Sequence, residues 1–261
     1  MKDAVDTLAE WIGAARRVVY LAGAGLSVAS GVRAYRSGPA AVWDELVTAW
    51  GTRRRFMADP ARWWSTFWLA AHEALLGAVV PNAGHRALAR LCQRGPDDLL
   101  VTQNIDGLSR AAGHAEARLI EIHGRHDRFV CARESGCPEA ATPIDHVDLS
   151  GVAAGIYPRC PGCDGPMRPL VLLFDEYYDG RSEYQAPRAR RALAEADVVV
   201  FVGTSFSVGI TELALSLMGG HAGWGRQGAS INLEPPPTAA LLDVRGRSEE
   251  ILPRLAARLG V

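Results

Sequence analysis

The feature that constrains this chain most is a set of short apolar runs, each stopping on glycine or hydrogen-bonding residues. Residues 18–21, 99–101, 119–122 and 198–202 are nearly continuous in apolar side chains and too short for helices. That is the pattern of strands buried on both faces. Between them the spacing turns helical. Residues 3–16 align Val5, Leu8, Ala9, Ile12 and Ala15 on one face, 84–93 follow the Pro81-Asn82 break, 188–194 form another helix, and 251–259 close the chain amphipathically. Strands alternating with helices specify an α/β fold, a Rossmann-like parallel sheet with helices on both faces. Such sheets place their chemistry at the carboxyl ends of the strands.

Three of those ends carry unusual residues. Residues 99–101 give way to Thr102-Gln103-Asn104-Ile105-Asp106-Gly107, 119–122 deliver His123-Gly124, and 18–21 open into Ala22-Gly23-Ala24-Gly25-Leu26-Ser27. An Asn, an Asp and a His arriving together suit a site that binds a sugar and an amide and moves one proton; the same residues also fit a plain turn and an ordinary strand-end histidine. A glycine turn after a strand lets backbone N–H groups approach a pyrophosphate. Here Gly31 misses the third glycine position of the dinucleotide fingerprint, and Asp44 is an awkward ribose ligand. The ordinary dehydrogenase pattern is therefore absent.

Charge is almost balanced, 28 Lys+Arg against 29 Asp+Glu in 261 residues, so nucleic acid is not an expected partner. No apolar run approaches the roughly 20 residues that span a bilayer, and the first 17 residues have acidic, helical character instead of a signal-peptide pattern. A cytoplasmic protein without membrane association is expected. In that setting the five cysteines are metal ligands or buried thiols. Cys131-x5-Cys137 and Cys160-x2-Cys163 offer four soft ligands for a closed, structural zinc site, with Cys92 left over as a buried thiol. The site would hold together residues 134–155, too polar to build their own core. Residues 33–80 read as helical and rich in tryptophan (Trp43, Trp50, Trp63, Trp64, Trp68), an aromatic stripe expected to be core. Trp64 and Trp68 would share a helix face with Ala71 and Leu75, and His85 is expected to be structural.

Taken together, residues 23–32, Tyr35-Arg36-Ser37, residues 102–108 and His123-Gly124 resemble the sirtuins, the NAD-dependent protein deacylases. Arg168-Pro169, Phe174 with Glu176, Gly203-Thr204-Ser205 and Ile231-Asn232 follow in the family's order. The resemblance implies an NAD-binding domain (1–32, 82–127, 168–261) and a small domain formed by a helical insertion (33–81) and a zinc module (128–167). It implies that Gly23, Ala24, Gly25, Ser27, Tyr35, Arg36, Gln103, Asn104, Ile105, Asp106, Gly203, Thr204, Ser205, Asn232, Glu234 and Ser248 face the cofactor. His123 would be the general base and Asn104 would orient ribose or water. Leu172 and Phe174 would line an acyl-lysine tunnel, with Asp175 and Glu176 beside the peptide along an apolar strand over 170–174. The implied reaction yields nicotinamide, O-acyl-ADP-ribose and free lysine through an alkylimidate. Two departures stand out: Val32-Arg33-Ala34-Tyr35 where the family commonly reads Ile-Pro-Asp-Phe, and Asp175 where it usually has glycine. Asp175 would clash with the peptide or re-select it. NAD glycohydrolysis, ADP-ribosyl transfer and a silent NAD-binding module remain as other uses of the same site.

Overall fold

The structure, a computed structural model, describes residues 3–32, 45–72, 77, 79–133, 136–139, 142–219 and 226–261 (backbone alone at 45–47 and 219). Eight strands are described: β1 (Val18–Ala22), β2 (Leu99–Thr102), β3 (Leu119–Glu121), β4 (Gly124–Cys131), β5 (Met167–Val171), β6 (Val198–Val202), β7 (Gln227–Asn232) and β8 (Leu242–Arg245). Six of them form one sheet in the order β3-β2-β1-β6-β7-β8, every neighbouring pair parallel. This is the doubly wound Rossmann order, and its topological switch lies between β1 and β6.

Successive residues of β1 show why the apolar runs are continuous. Val18, Tyr20 and Ala22 pack with the helices Ala4–Ala14, Ala83–Leu91 and Ser248–Leu259. Val19 and Leu21 pack on the opposite face with Ala186–Glu195 and Gly209–Gly219. Val5, Leu8, Ala9 and Ile12 of the first helix are buried, as the spacing predicts. Asn82 caps the helix Ala83–Leu91, and His85 reciprocates by accepting from the Asn82 N–H. The strand β8 was not signalled by the sequence; its edge position leaves only Val244 fully buried. Among the described residues no helix is long and apolar enough to cross a membrane.

The remaining two strands, β4 and β5, pair antiparallel outside this sheet. The sequence predicts a strand over 170–174 returning to the main sheet. Instead the strand ends at Val171 and belongs to the ribbon, because the chain turns where Arg168 pairs with Glu176 and the Glu176 N–H bonds the Leu173 carbonyl at 3.0 Å. The ribbon runs across positions 127/128 and 167/168, where the expected domain boundaries fall. Against it packs a core of rings, Trp63, Trp64, Phe67, Trp68 and Phe129, joined by Cys131, Cys160, Met167 and Val171. Residues Trp63–Trp68 form a π-helix, whose wider turn brings positions five apart onto one face. Trp63 therefore stacks on Trp68 (5.3 Å, 12°), while Trp64 meets Trp68 edge-on. Leu75, expected on the same stripe, lies outside the described residues, as does Trp43.

Candidate active site

One cavity of about 390 Å³ opens where the strand ends of the sheet meet the ribbon and the aromatic cluster. Its floor is made by Gly23, Ala24, Gly25, Gln103, Asn104, Ile105, Gly203, Thr204 and Ser205. The glycines are required by proximity. Gly203 has φ +56°, and a Cβ on Gly25 would lie 2.7 Å from the Gly203 Cα. At the topological switch two backbones thus touch with no side chain between them, leaving room for a phosphate group to approach.

Beneath this floor lies a closed hydrogen-bond network. The Ser27 hydroxyl donates to Asp106 Oδ2 at 2.6 Å and accepts from Asn104 Nδ2 at 3.1 Å; His85 Nε2 stands 3.3 Å away. Because His85 Nδ1 accepts from the Asn82 N–H, its Nε2 carries the proton and donates to Ser27. Asn104 Nδ2 also donates to the Gly23 carbonyl at 3.0 Å. Asp106 accepts from the Leu108 N–H at 2.9 Å; burial raises its pKa, and its hydrogen bonds oppose the shift. Ser27 and Asp106, read as cofactor contacts in the sequence, are both buried behind the cavity and hold Asn104 in place. His85 is structural, as expected, and is part of the same network.

His123 stands where the sheet hands over to the ribbon. Gly124 has φ +77°, and a Cβ there would come within 2.0 Å of the Leu170 carbonyl, so the position admits only glycine. The Leu172 N–H bonds the His123 carbonyl at 2.9 Å, which brings the segment after β5 alongside. His123 Nδ1 donates to the Gln103 carbonyl at 2.8 Å, fixing Nε2 as the basic nitrogen. Burial lowers its pKa to about 4, with the Gln103 contact opposing, so the ring is neutral at physiological pH. Nε2 lies 3.2 Å from the Tyr178 hydroxyl.

The opposite wall is apolar: Phe67, Trp68, Val171, Leu172, Leu173 and Phe174, with His72 among them. His72 stacks on Trp68 (3.9 Å between centroids, 25°), and burial lowers its pKa to about 4. Neither Phe67, Trp68, His72 nor Tyr178 was singled out for the site in the sequence. An aromatic stripe reads as core, and here one end of it reaches the cavity. Glu176 is spent on Arg168, itself buried, and on the Leu173 N–H at 2.9 Å. Asp175 points away, accepting from the backbone N–H groups of Arg53 (2.6 Å) and Arg54 (3.0 Å).

The Sir2 family model matches residues 23–209. This chain belongs to the Sir2 family. It is 34% identical to an NAD-dependent deacetylase of Dictyostelium discoideum, over 99% of this chain and 78% of that protein. To an NAD-dependent protein deacylase of Thermus thermophilus it is 35% identical, over 87% of this chain and 83% of the relative. Of solved structures, a Sir2 homolog–NAD complex matches with TM-score 0.80 at 25% identity, covering 98% of this chain and 93% of that one. A mutant Sir2 homologue complexed with 2′-O-acetyl ADP ribose matches equally, TM-score 0.80 at 25% identity, covering 97% and 96%.

Within this Sir2 chain the other expected contacts spread from the cavity along the sheet. Asn232 Nδ2 donates to the Thr204 carbonyl at 2.8 Å, and Gln103 Nε2 to Thr204 Oγ1 at 3.3 Å. Ser248, buried at the start of the closing helix, lies 3.5 Å from the Gly25 carbonyl. Glu234 is exposed. Tyr35 and Arg36 lie outside the described residues.

The four cysteines come together as expected. Their Sγ atoms all lie within 4.8 Å of one another, with Cys131–Cys163 and Cys137–Cys160 at 3.6 Å. A tetrahedron with Zn–S bonds of about 2.3 Å has edges of about 3.8 Å. The wide first pair therefore fits a structural zinc as well as the tight second one, and four thiolates leave no position open for catalysis.

Proposed function

We propose that this chain is an NAD-dependent protein lysine deacylase, yielding nicotinamide, O-acyl-ADP-ribose and free lysine. The observation that carries the reading is one cavity with a glycine–amide floor, a neutral histidine and an apolar wall. NAD, when bound, supplies a sugar carbon bearing nicotinamide and a ribose hydroxyl that can take the acyl group. Gly23, Ala24, Gly25 and Gly203 to Ser205 would receive the phosphates and a ribose, Asn232, Glu234 and Ser248 the adenosine side, Arg36 the phosphate and ribose side, and the Tyr35 ring would shield the sugar. Asn104, locked by Ser27 and Gly23, would orient ribose or a water; Ile105, with Asp106 holding its loop, would set the nicotinamide pocket. His123 would accept a ribose proton at Nε2. Leu172 and Phe174 would flank the acyl-lysine, while Asp175 and Glu176 shape the loop that carries them.

Among the described residues lining the cavity there is no Lys or Arg, and the one carboxylate, Glu176, is already paired. That favours an uncharged acyl group over a dicarboxylic one. A peptide-sized apolar wall also favours deacylation over simple NAD hydrolysis or ADP-ribosyl transfer, which have no use for it, and a base at His123 is superfluous in a silent binding module. Zinc held by four cysteines outside any disulfide suits a cytoplasmic setting. Domain limits follow the ribbon: the sheet with its helices is the NAD-binding part, and the ribbon with the aromatic cluster is the small domain.

The test is nicotinamide release with and without a panel of acyl-lysine peptides, alongside His123→Ala. Release is expected to require the peptide, to yield free lysine, and to fall about 10²- to 10⁴-fold in the variant. Release indifferent to peptide would replace the deacylase with a glycohydrolase or transferase; NAD binding without release would leave a silent module.

A further inference from the structure

We propose that Tyr178 is a proton relay between the substrate hydroxyl and His123, an inference that rests on the deacylase reading. Tyr178 begins the short 3-10 turn Tyr178–Gly180, just past the loop that carries Leu172 and Phe174. Its ring lies nearly parallel to His123, 5.8 Å between centroids at 16°. Its hydroxyl is 3.2 Å from Nε2, the nitrogen that must take up the proton. With Nδ1 donating to Gln103, Nε2 has only a lone pair to offer, so the tyrosine hydroxyl is the donor.

The hydroxyl donates to Nε2, and its oxygen keeps lone pairs for an incoming O–H. Tyr178 and Gly209 both line the cavity, which is where that O–H would arrive. Burial raises the phenol pKa, and Glu212 pushes the same way, so Tyr178 keeps its proton until it has one to receive.

The step balances with one proton. The ribose hydroxyl gives its proton to Tyr178 Oη while Tyr178 gives its own to His123 Nε2. One ribose O–H bond breaks and one Nε2–H bond forms; Tyr178 ends neutral, and the imidazolium remains bonded to the Gln103 carbonyl. A hydroxyl seated on Nε2 must either pass the proton or leave, and the ring stacked parallel to His123 opposes leaving.

Tyr178→Phe keeps the ring and removes the hydroxyl. In the protein without NAD, imidazole NMR should show the His123 pKa rising by about one pH unit, since a donor to the lone pair has gone. With NAD and an acyl-lysine peptide, kcat should fall about 10- to 100-fold while KM for NAD stays within about threefold. An unmoved His123 titration overturns the contact. A moved titration with kcat equal to or above wild type overturns the relay and makes the hydroxyl a plug. Wild-type protein that releases no nicotinamide with any peptide overturns the deacylase reading, and with it the relay, whatever the titration shows.

Discussion

The floor and the wall of the cavity are built by different physics. The floor hangs from three adjacent parallel strands, β2, β1 and β6, each buried on both faces by aliphatic side chains and helices. Its polar residues are positioned by area: a large core fixes the strands, and the strands fix Gly25, Asn104 and Gly203. The wall has a two-stranded ribbon, short helical segments, and a knot of rings tied to four cysteines. It is positioned by points: the thiolate cluster, the Arg168–Glu176 pair, and the Trp64 indole N–H donating to the Met167 carbonyl at 2.9 Å. A two-stranded sheet is marginal in water on its own, so the points carry the wall.

Removing the metal should separate the two most sharply. Structural zinc in small modules supplies about 10–16 kcal/mol of apparent binding free energy, comparable with the whole stability of a domain. Chelation, or Cys160→Ser, is expected to abolish peptide-dependent turnover. Amides of β1, β2 and β6 should stay protected from hydrogen exchange while those of β4 and β5 lose protection. Loss of protection in the sheet as well would show that floor and wall fold as one unit.

Acid should weaken both halves, through different histidines. Burial lowers the pKa of His72 in the wall and of His85 and His114 behind the floor, each to about 4. An unfolded histidine titrates near 6.5, so between about pH 6.5 and 4 the unfolded chain holds more protons. Stability is therefore full above that window and falls as pH drops through it, by up to about 1.4 kcal/mol per pH unit for each residue. Burial raises the Asp106 pKa above the usual carboxylate value; that group burdens the fold above its own pKa and relieves it on protonation. His72→Phe should flatten the loss between pH 7 and 5 by about 1–2 kcal/mol in urea titrations. If the wall unfolds separately, hydrogen exchange should confine that gain to the ribbon.

The same contrast decides what the sequence revealed. Area-built elements have periodic signatures: the runs at 18–21, 99–101, 119–122 and 198–202 hold β1, β2, β3 and β6, and the polar ends of the first three name Gly23, Asn104 and His123 directly. The cysteines were legible because thiol pairs at close spacing have few other uses. Point contacts leave no such trace. Nothing in Phe174-Asp175-Glu176-Tyr177-Tyr178 says that the strand has already ended at Val171, that Glu176 turns inward to Arg168, or that Tyr178 reaches His123. The aromatic stripe was recognisable as core, but its π-helical winding, and hence the placement of Phe67 and Trp68 on the cavity, depends on tertiary packing that spacing does not encode. Ser27 was legible as a site residue but not as a buried one, since a GxGLS turn looks the same whether its hydroxyl faces a phosphate or Asp106.

Asp175 gives the smallest effect and the finest test of the distinction. In the sequence a carboxylate in place of the family's usual glycine reads as a filter on the incoming peptide. In the structure that carboxylate grips the first two N–H groups of the helix Arg53–Ala58, while the Phe174 N–H bonds the Gly51 carbonyl at 2.9 Å. It acts as an external cap, joining the loop that carries Phe174 to the aromatic wall. Asp175→Ala should therefore cost about 1 kcal/mol of stability, the usual worth of a capping carboxylate, read as a lower urea midpoint. The ratio of kcat/KM for peptides with lysine or glutamate flanking the acyl-lysine should stay within about twofold, because the carboxylate is turned to the start of the helix Arg53–Ala58 and does not line the cavity. A larger swing in that ratio, with stability unchanged, would put the carboxylate in the peptide groove and return Asp175 to the filter. The small size of the expected loss is itself informative. The floor rests on an aliphatic core spread over both faces of the sheet; the wall has few enough ties that one of them is measurable.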